Sequence, residues 1–526
     1  MDAITLNIPP GVVDHGTDSR AEGRWHDAHL ARWTNGVLHP VGGWGEISNV
    51  FVPSNAVFSI GSNNELTLVS IGRVPRGSHA WYDNGGIPRL ATGTHDKLYA
   101  WAGDPDTAIV DITPVSPNAL TVGNLNSNEN IGYGGKDYGE GTYGTPRATD
   151  GQTVPATSWI FDNFGEDLVA LSTADRRIFL WDRTGTADVI TPSSGTVPIN
   201  NKGIIVTAER FLFALGANDD PRKIQWCDRE DLTTWSPQPT NEAGDITLQT
   251  NGNIVCAEKV RGRTLILTTI DAHVATYQGP PTVYGFQRLA SGCGIAGPQL
   301  SGAISGMAFW MGESQFFMYD GSTIRPIPCD VHDHVFRNIN KAEIGSAFCV
   351  VNNQFNEIWW FYPSEESLEN DRYVAYDYLE NHWSIGYVSR ATGVDSGVFK
   401  NPIWIHTLGM FHEHEKGFNH TTGQDAYINT NYAYAETGPA RINQGNRVVK
   451  VNSVIPEEDT QGEVDIRFKT RFYPNDTETT HGPYSPANPT DVRFTGRQLR
   501  LRVDGDVGAN WRFGPLRMRG REGGYR

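Results

Sequence analysis

Along the whole chain no stretch of a dozen residues keeps apolar positions at i, i+3, i+4 and i+7 without a Gly, Pro or Asn interrupting it, so little helix is expected. Short runs of aromatic and β-branched residues bounded by turn residues recur instead: Leu98 to Trp101, Ile178 to Trp181, Gly203 to Val206, Phe211 to Leu215, Thr264 to Ile270, Phe316 to Tyr319, Glu357 to Tyr362 and Tyr373 to Tyr376. Their spacing predicts an all-β chain of antiparallel strands joined by tight turns.

Several of these runs repeat one another. Leu98, Tyr99, Ala100 and Trp101 lead on to Ile112, Thr113 and Pro114, as Ile178, Phe179, Leu180 and Trp181 lead on to Ile190, Thr191 and Pro192. Trp226, Cys227 and Asp228 with Trp235 and Ser236 match Tyr376 and Asp377 with Trp383 and Ser384, and Phe317 to Gly321, which includes Asp320, is a third variant. The unit is an apolar strand ending in an aromatic and an acid, then a turn and a short outgoing strand. A four-stranded blade cannot bury both faces alone, so such units stack radially. The repeats predict a β-propeller of about six blades, with five to seven allowed, over residues 85–410, starting near Gly85, Trp159, Gly203, Asn253, Gln299 and Ala347. Trp101, Trp181, Asp228, Trp235, Asp320, Asp377 and Trp383 are expected to shape blade turns, the acids by accepting backbone N–H bonds.

The ends differ from the middle. Residues 1–84, with Trp25, Trp33, Gly42, Gly43 and Trp44, carry no blade signature and read as a platform segment running into the propeller. Residues 118–152 form an Asn-rich, then Gly/Tyr-rich loop in which Tyr133, Tyr138 and Tyr143 recur every five residues, a composition that supplies no core of its own. Residues 411–439 read as a linker. Residues 440–526 alternate as long strands at Arg447 to Val454, Gly462 to Tyr473, Asp491 to Val503 and Trp511 to Met518, a C-terminal β module that with the N-terminal segment makes a platform or sandwich.

Charge sharpens this division. The 526 residues carry a formal net charge of −17, against bulk electrostatic binding of nucleic acid, yet residues 440–526 hold 15 Lys and Arg against 11 Asp and Glu, a local balance of +4. No apolar stretch approaches the length of a membrane span, and the N-terminal residues lack a signal peptide's pattern, so synthesis in a cytoplasm is expected. Cys227, Cys256, Cys293, Cys329 and Cys349 are far apart without a CxxC pair, and read as free thiols.

Candidate chemistry is sparse. His406, His412, His414 and His420 interleave with Glu413 and Glu415. In a strand His412 and His414 share one face, a weak metal pairing without a helical His/Glu/His spacing. His332, Asp333 and His334 meet the same objection. A sialidase-like turn is approached only by Arg229 to Trp235, which lacks its Gly, and nucleophile-elbow and phosphate-loop patterns are missing. The expectation is a protein without a catalytic site, cofactor or resident metal.

Ile8, Pro9, Pro10, Gly11 and Val12, then Gly23, Arg24 and Trp25, and Val41, Gly42, Gly43 and Trp44 resemble the opening of tail nozzle proteins of short-tailed double-stranded DNA phages. The Gly/Tyr loop, Ile224 to Asp228 with Thr234 and Trp235, and Arg493 to Arg497 extend the resemblance along the chain. It implies a structural virion protein: a homo-oligomeric, hexameric ring that continues the DNA channel below the head-tail adaptor, meets a fibre, spike or needle protein distally, and lets genomic DNA pass without specific binding during ejection. Contacts would then draw on Trp25, Trp33, Trp44, Tyr133, Tyr138, Tyr143, Arg497, Arg500 and Arg502, of types enriched at interfaces. The alternatives are a receptor-binding or baseplate-like virion propeller, or a glycan-acting propeller enzyme.

Overall fold

The computed structural model describes residues 4–47, 73–103, 109–129, 153–420, 433–441, 447–506 and 508–524. The repeated runs become blades. Seven four-stranded antiparallel sheets follow one another, with innermost strands Pro75–Tyr82, Trp159–Phe164, Gly203–Val206, Ile254–Val260, Ser301–Ile304, Phe348–Asn352 and Thr392–Val394. Each innermost strand packs beside the next, and the seventh returns to the first, closing a β-propeller. The aromatic runs that repeat in the sequence are third strands: Leu98–Trp101, Ile178–Trp181, Lys223–Trp226, Phe316–Tyr319 and Arg372–Asp377. Their rings are buried between blades. Trp81, Trp159, Phe179 and Trp181 pack blades 1 and 2 together, and Tyr99, Trp101, Ile403 and Phe411 pack blades 7 and 1.

The seventh blade takes three strands from residues 392–414 and its outermost strand, Trp44–Glu46, from the other end of the chain. Trp44 pairs with His414 and packs on the rings of His414 and His420 at 5.0 and 5.2 Å. The turn that delivers it runs flush against blade 7: a Cβ on Gly42 would stand 2.1 Å from Glu415 Oε2, and one on Gly43 2.4 Å from the Asn419 backbone. Only glycine fits this approach.

Both ends then build one sandwich. A four-stranded sheet orders Ile4–Leu6, Leu516–Glu522, Val449–Pro456 and Thr490–Gly496, and a larger sheet joins Trp25–His29, Tyr434–Thr437, Gln498–Gly505, Val464–Arg471 and Thr479–Tyr484. Phe468 of the larger sheet meets Phe494 of the smaller with ring centroids 4.8 Å apart. The core continues through Trp25 and Trp33 into Tyr373, Trp359 and Trp383 of blade 6, so sandwich and propeller share one apolar cluster.

The blade count is seven, within the expected five to seven. Three expectations are corrected. The propeller begins at Pro75, since Gly85 lies in the first hairpin of blade 1. Residues 411–439 include the blade strand Phe411–His414 and the sandwich strand Tyr434–Thr437, so they are more than a linker. The expected strand Asp491 to Val503 is two strands, Thr490–Gly496 and Gln498–Gly505, which cross from one sheet to the other at Arg497.

Candidate assembly interface

Alternation along the sandwich's four-stranded sheet sends Val449, Val451, Phe494, Leu516 and Met518 into the core and Lys450, Arg493, Arg517, Arg519 and Arg521 outward. Register sets Lys450 directly opposite Arg521, while Arg519 stands opposite Ser453 and Arg517 opposite Ile455; Asp491, outward beside Arg493, also faces Ser453. Arg517 is neutralised by Glu457 at 2.8 Å. Lys450, Arg493, Arg519 and Arg521 make no ion pair among the described residues. Like charges facing each other across a strand pair cost stability, so the sheet tolerates a feature that folding does not need.

The larger sheet shows the opposite arrangement. Arg467 bonds Asp504, Lys469 holds Glu436 at 2.7 Å, Arg502 reaches Asp504 at 2.8 Å, and Arg500 bonds Glu478 at 2.7 Å and also Asp18. Its cations are internally spent.

A second joint lies where the hairpin of Ala31–Thr34 and Val37–Pro40 meets the propeller. The fully buried Arg32 guanidinium forks onto Glu357 of blade 6, at 2.9 and 2.7 Å, and onto Glu415 after blade 7, at 3.0 and 2.7 Å. Trp359 Nε1 donates to Glu357, and Asn352 Nδ2 and Gly42 N donate to Glu415. Phe355 lies 3.7 Å beneath the guanidinium. Burial pushes the Glu357 carboxyl up to about 7, with Arg32 pulling the other way and Glu415 adding to the rise.

The propeller axis holds a cavity of about 390 Å³ lined by all seven innermost strands. Gln299, before blade 5, donates across the axis to the carbonyls of Arg76 and Trp159, at 2.8 and 2.6 Å, and Ser158 Oγ donates to Gly345 O at 2.7 Å. These bonds join blades that are not neighbours, so they bridge the axis at one end. Further along the axis, a half-exposed Lys259 pairs with Asp162 at 2.8 Å and Ser301 Oγ donates to Glu258 at 2.7 Å. Burial raises the Glu258 carboxyl and pushes the Cys256 thiol up to about 12, so this thiol is not a ready nucleophile.

The residues singled out by sequence divide sharply. Trp25, Trp33 and Trp44 are 3%, 2% and 2% exposed, so they are core side chains and offer no surface to a partner. Arg500 and Arg502 are engaged in the ion pairs above, Arg502 also lying 3.8 Å over the Tyr434 ring, and Arg497 stacks 5.1 Å over Tyr473. Tyr133, Tyr138 and Tyr143 lie outside the described residues. His412 and His414 are buried in blade 7, where His414 Nε2 accepts from Arg390 Nε at 2.9 Å, and they belong to no metal-type grouping among the described residues. The turn acids accept as expected: Asp228 Oδ1 from Arg229 and Glu242 N–H, Asp320 Oδ1 from Ser322 and Thr323, Asp377 Oδ1 from Leu379 and Glu380. Trp101, Trp181, Trp235 and Trp383 are buried. The basic sheet face was missed, although the alternation Arg517, Arg519, Arg521 signals it.

All five cysteines are free, and no helix among the described residues is long and apolar enough to cross a membrane. No family model and no curated protein matches this sequence. Among solved structures, PorZ, a bacterial surface component of the type-IX secretion system of Porphyromonas gingivalis, is 7% identical at TM-score 0.36, covering 72% of this chain and 43% of its own. Virginiamycin B lyase from Staphylococcus aureus is 6% identical at TM-score 0.30, covering 66% of this chain and 99% of its own. The extracellular domain of a hybrid two-component system from B. thetaiotaomicron is 11% identical at TM-score 0.30, covering 66% of this chain and 40% of its own. This chain thus spans less than half of PorZ, and likeness this distant carries no function across.

Proposed function

We propose that the chain is a structural subunit of a phage tail, of the nozzle kind, and that copies of it form a ring around the path of the genome below the head-tail adaptor. The observation that carries this reading is the unpaired basic face of Lys450, Arg493, Arg519 and Arg521 on a chain of net charge −17. A cyclic ring needs two different, complementary patches on each subunit, and a cationic face meeting an acidic one supplies such a pair, with the register that charge pairing gives. The positions that carry the nozzle resemblance support it further, because they are joints of the fold: Gly11 packs against His382 of blade 6, and Gly42, Gly43 and Trp44 close blade 7.

In this reading the propeller is a rigid distal block with no catalytic step of its own. Its axis is bridged by Gln299, so the genome passes through the hole of the ring and not through the blades. Fibre, spike or needle proteins attach at the propeller end, and the adaptor meets the sandwich. Electron microscopy of the purified full-length protein tests the reading: closed rings with a central opening are expected, six subunits to a ring, and a population of single subunits at every concentration would overturn it.

A further inference from the structure

The N-terminal segment crosses the propeller between blades 5 and 6. Val12 N donates to Trp383 O and Asp14 N to Asp330 O, each at 2.8 Å. The crossing brings His15 against the short helix His332–Phe336. Asp333 is held in place by its far oxygen: Oδ2 accepts from Gly16 N at 2.9 Å and lies 3.3 Å from Arg337 Nη2. Gly16 sits at φ +86°, the left-handed conformation that turns its amide toward the carboxylate. The other oxygen, Oδ1, faces two imidazole nitrogens, His15 Nδ1 at 3.3 Å and His332 Nδ1 at 3.2 Å.

The tautomer of His332 decides what this arrangement is for. Its Nε2 lies 3.1 Å from the carbonyl oxygen of Ser314, and a carbonyl only accepts, so Nε2 carries the hydrogen. In the neutral ring Nδ1 is then a bare lone pair aimed at a carboxylate oxygen. Two acceptors in contact repel unless a second ring proton or a metal ion lies between them. A histidine that donates one ring N–H to a backbone carbonyl while presenting the other nitrogen is also the arrangement that orients metal-bound imidazoles. Distances fit as well. Ligands about 2.0–2.1 Å from a tetrahedral ion stand about 3.3 Å from one another, and the three ligand atoms here lie within 4.8 Å of each other, two of the separations being 3.2 and 3.3 Å.

We propose that His15, His332 and Asp333 form a binding site for one first-row divalent transition ion of the zinc class. Two imidazoles and one carboxylate are borderline ligands, suited to zinc, cobalt or nickel and poorly suited to magnesium or calcium. Three protein ligands leave one position for water. Since His15 and helix His332–Phe336 are 317 residues apart in sequence, the ion would clamp the start of the platform onto the propeller and leave the fold's apolar joints untouched.

Titration of the full-length protein with cobalt chloride at pH 7.5, followed by visible absorption and by calorimetric competition with zinc chloride, tests this. One ion per chain is expected, with dissociation below about 10 µM and the absorption of a four-coordinate centre. His332→Ala and His15→Ala should each weaken binding at least tenfold, Asp333→Asn likewise, with circular dichroism reporting that each variant keeps its sheet content. His412→Asn, in buried blade 7, should bind as the parent does. Absence of stoichiometric zinc or cobalt binding, or binding unchanged in His15→Ala and His332→Ala, would overturn the proposal and assign the cluster to protonated imidazoles paired with Asp333. Should a variant lose its fold, a rise in melting temperature of the parent with zinc, reversed by a chelator and absent with magnesium, decides instead.

Discussion

At the scale of single residues, the buried joint and the blade turns make separable demands. Glu357 has its carboxyl pushed up to about 7, above the value near 4.3 of an unfolded chain. The folded protein therefore holds a proton that the unfolded chain releases: the stability this contributes is full below about 4.3 and is lost as pH rises through about 7. Glu357→Gln should flatten that decline, read as the difference in urea midpoint between pH 5 and pH 8. An unchanged difference would mean that Glu357 is already ionised in the fold. At a turn, Asp377→Ala removes the acceptor of two N–H bonds at 2.9 and 2.8 Å and should cost about 0.5–2 kcal/mol in chemical denaturation, with sheet content retained. These turn acids were legible because Asp at the end of an aromatic strand has one dominant use. Trp25, Trp33 and Trp44 were not, since tryptophan is enriched both in cores and at interfaces, and only the packing of blade 6 and blade 7 on the N-terminal strands decides between them.

At the scale of elements, local signals carried most of the propeller. Blade starts at Trp159, Gly203, Ile254, Ser301 and Phe348 fall within two residues of the sequence-based ones, because the third strands of blades 2, 3, 5 and 6 repeat an apolar run with an aromatic at or next to its end and so space the array. Blade 7 escaped that logic. Its own strands are three or four residues long, and its fourth comes from Trp44–Glu46, a pairing that no local pattern encodes. The consequence is measurable: Trp44→Ala strips the closing strand of a buried indole and should lower stability by about 3–5 kcal/mol, with trypsin cleavage beginning in residues 392–420. Cleavage elsewhere first would indicate that ring closure rests on another blade. The sandwich was legible as alternating strands, while its dependence on Ile4–Leu6 and Trp25–His29 was hidden by sequence distance.

At the scale of the whole molecule, an acidic chain displays one basic sheet face, and the paired cations of the neighbouring sheet show that the exposure is not imposed by composition. Arg521→Gln removes a like charge directly opposite Lys450 in the strand register and should leave stability unchanged or raise it by about 0.2–1 kcal/mol. If that face is occupied within a ring, the assembled protein should not retain random duplex DNA at about 0.15 M salt, checked by filter binding. Retention with micromolar affinity would make the face a phosphate contact instead. The most direct test is native mass spectrometry of the full-length protein beside its Arg519→Glu, Arg521→Glu double variant. The account predicts a single closed oligomer of six chains for the parent, loosened by salt, and a folded monomer for the variant. A monomeric parent, or a variant that assembles as the parent does, would contradict it.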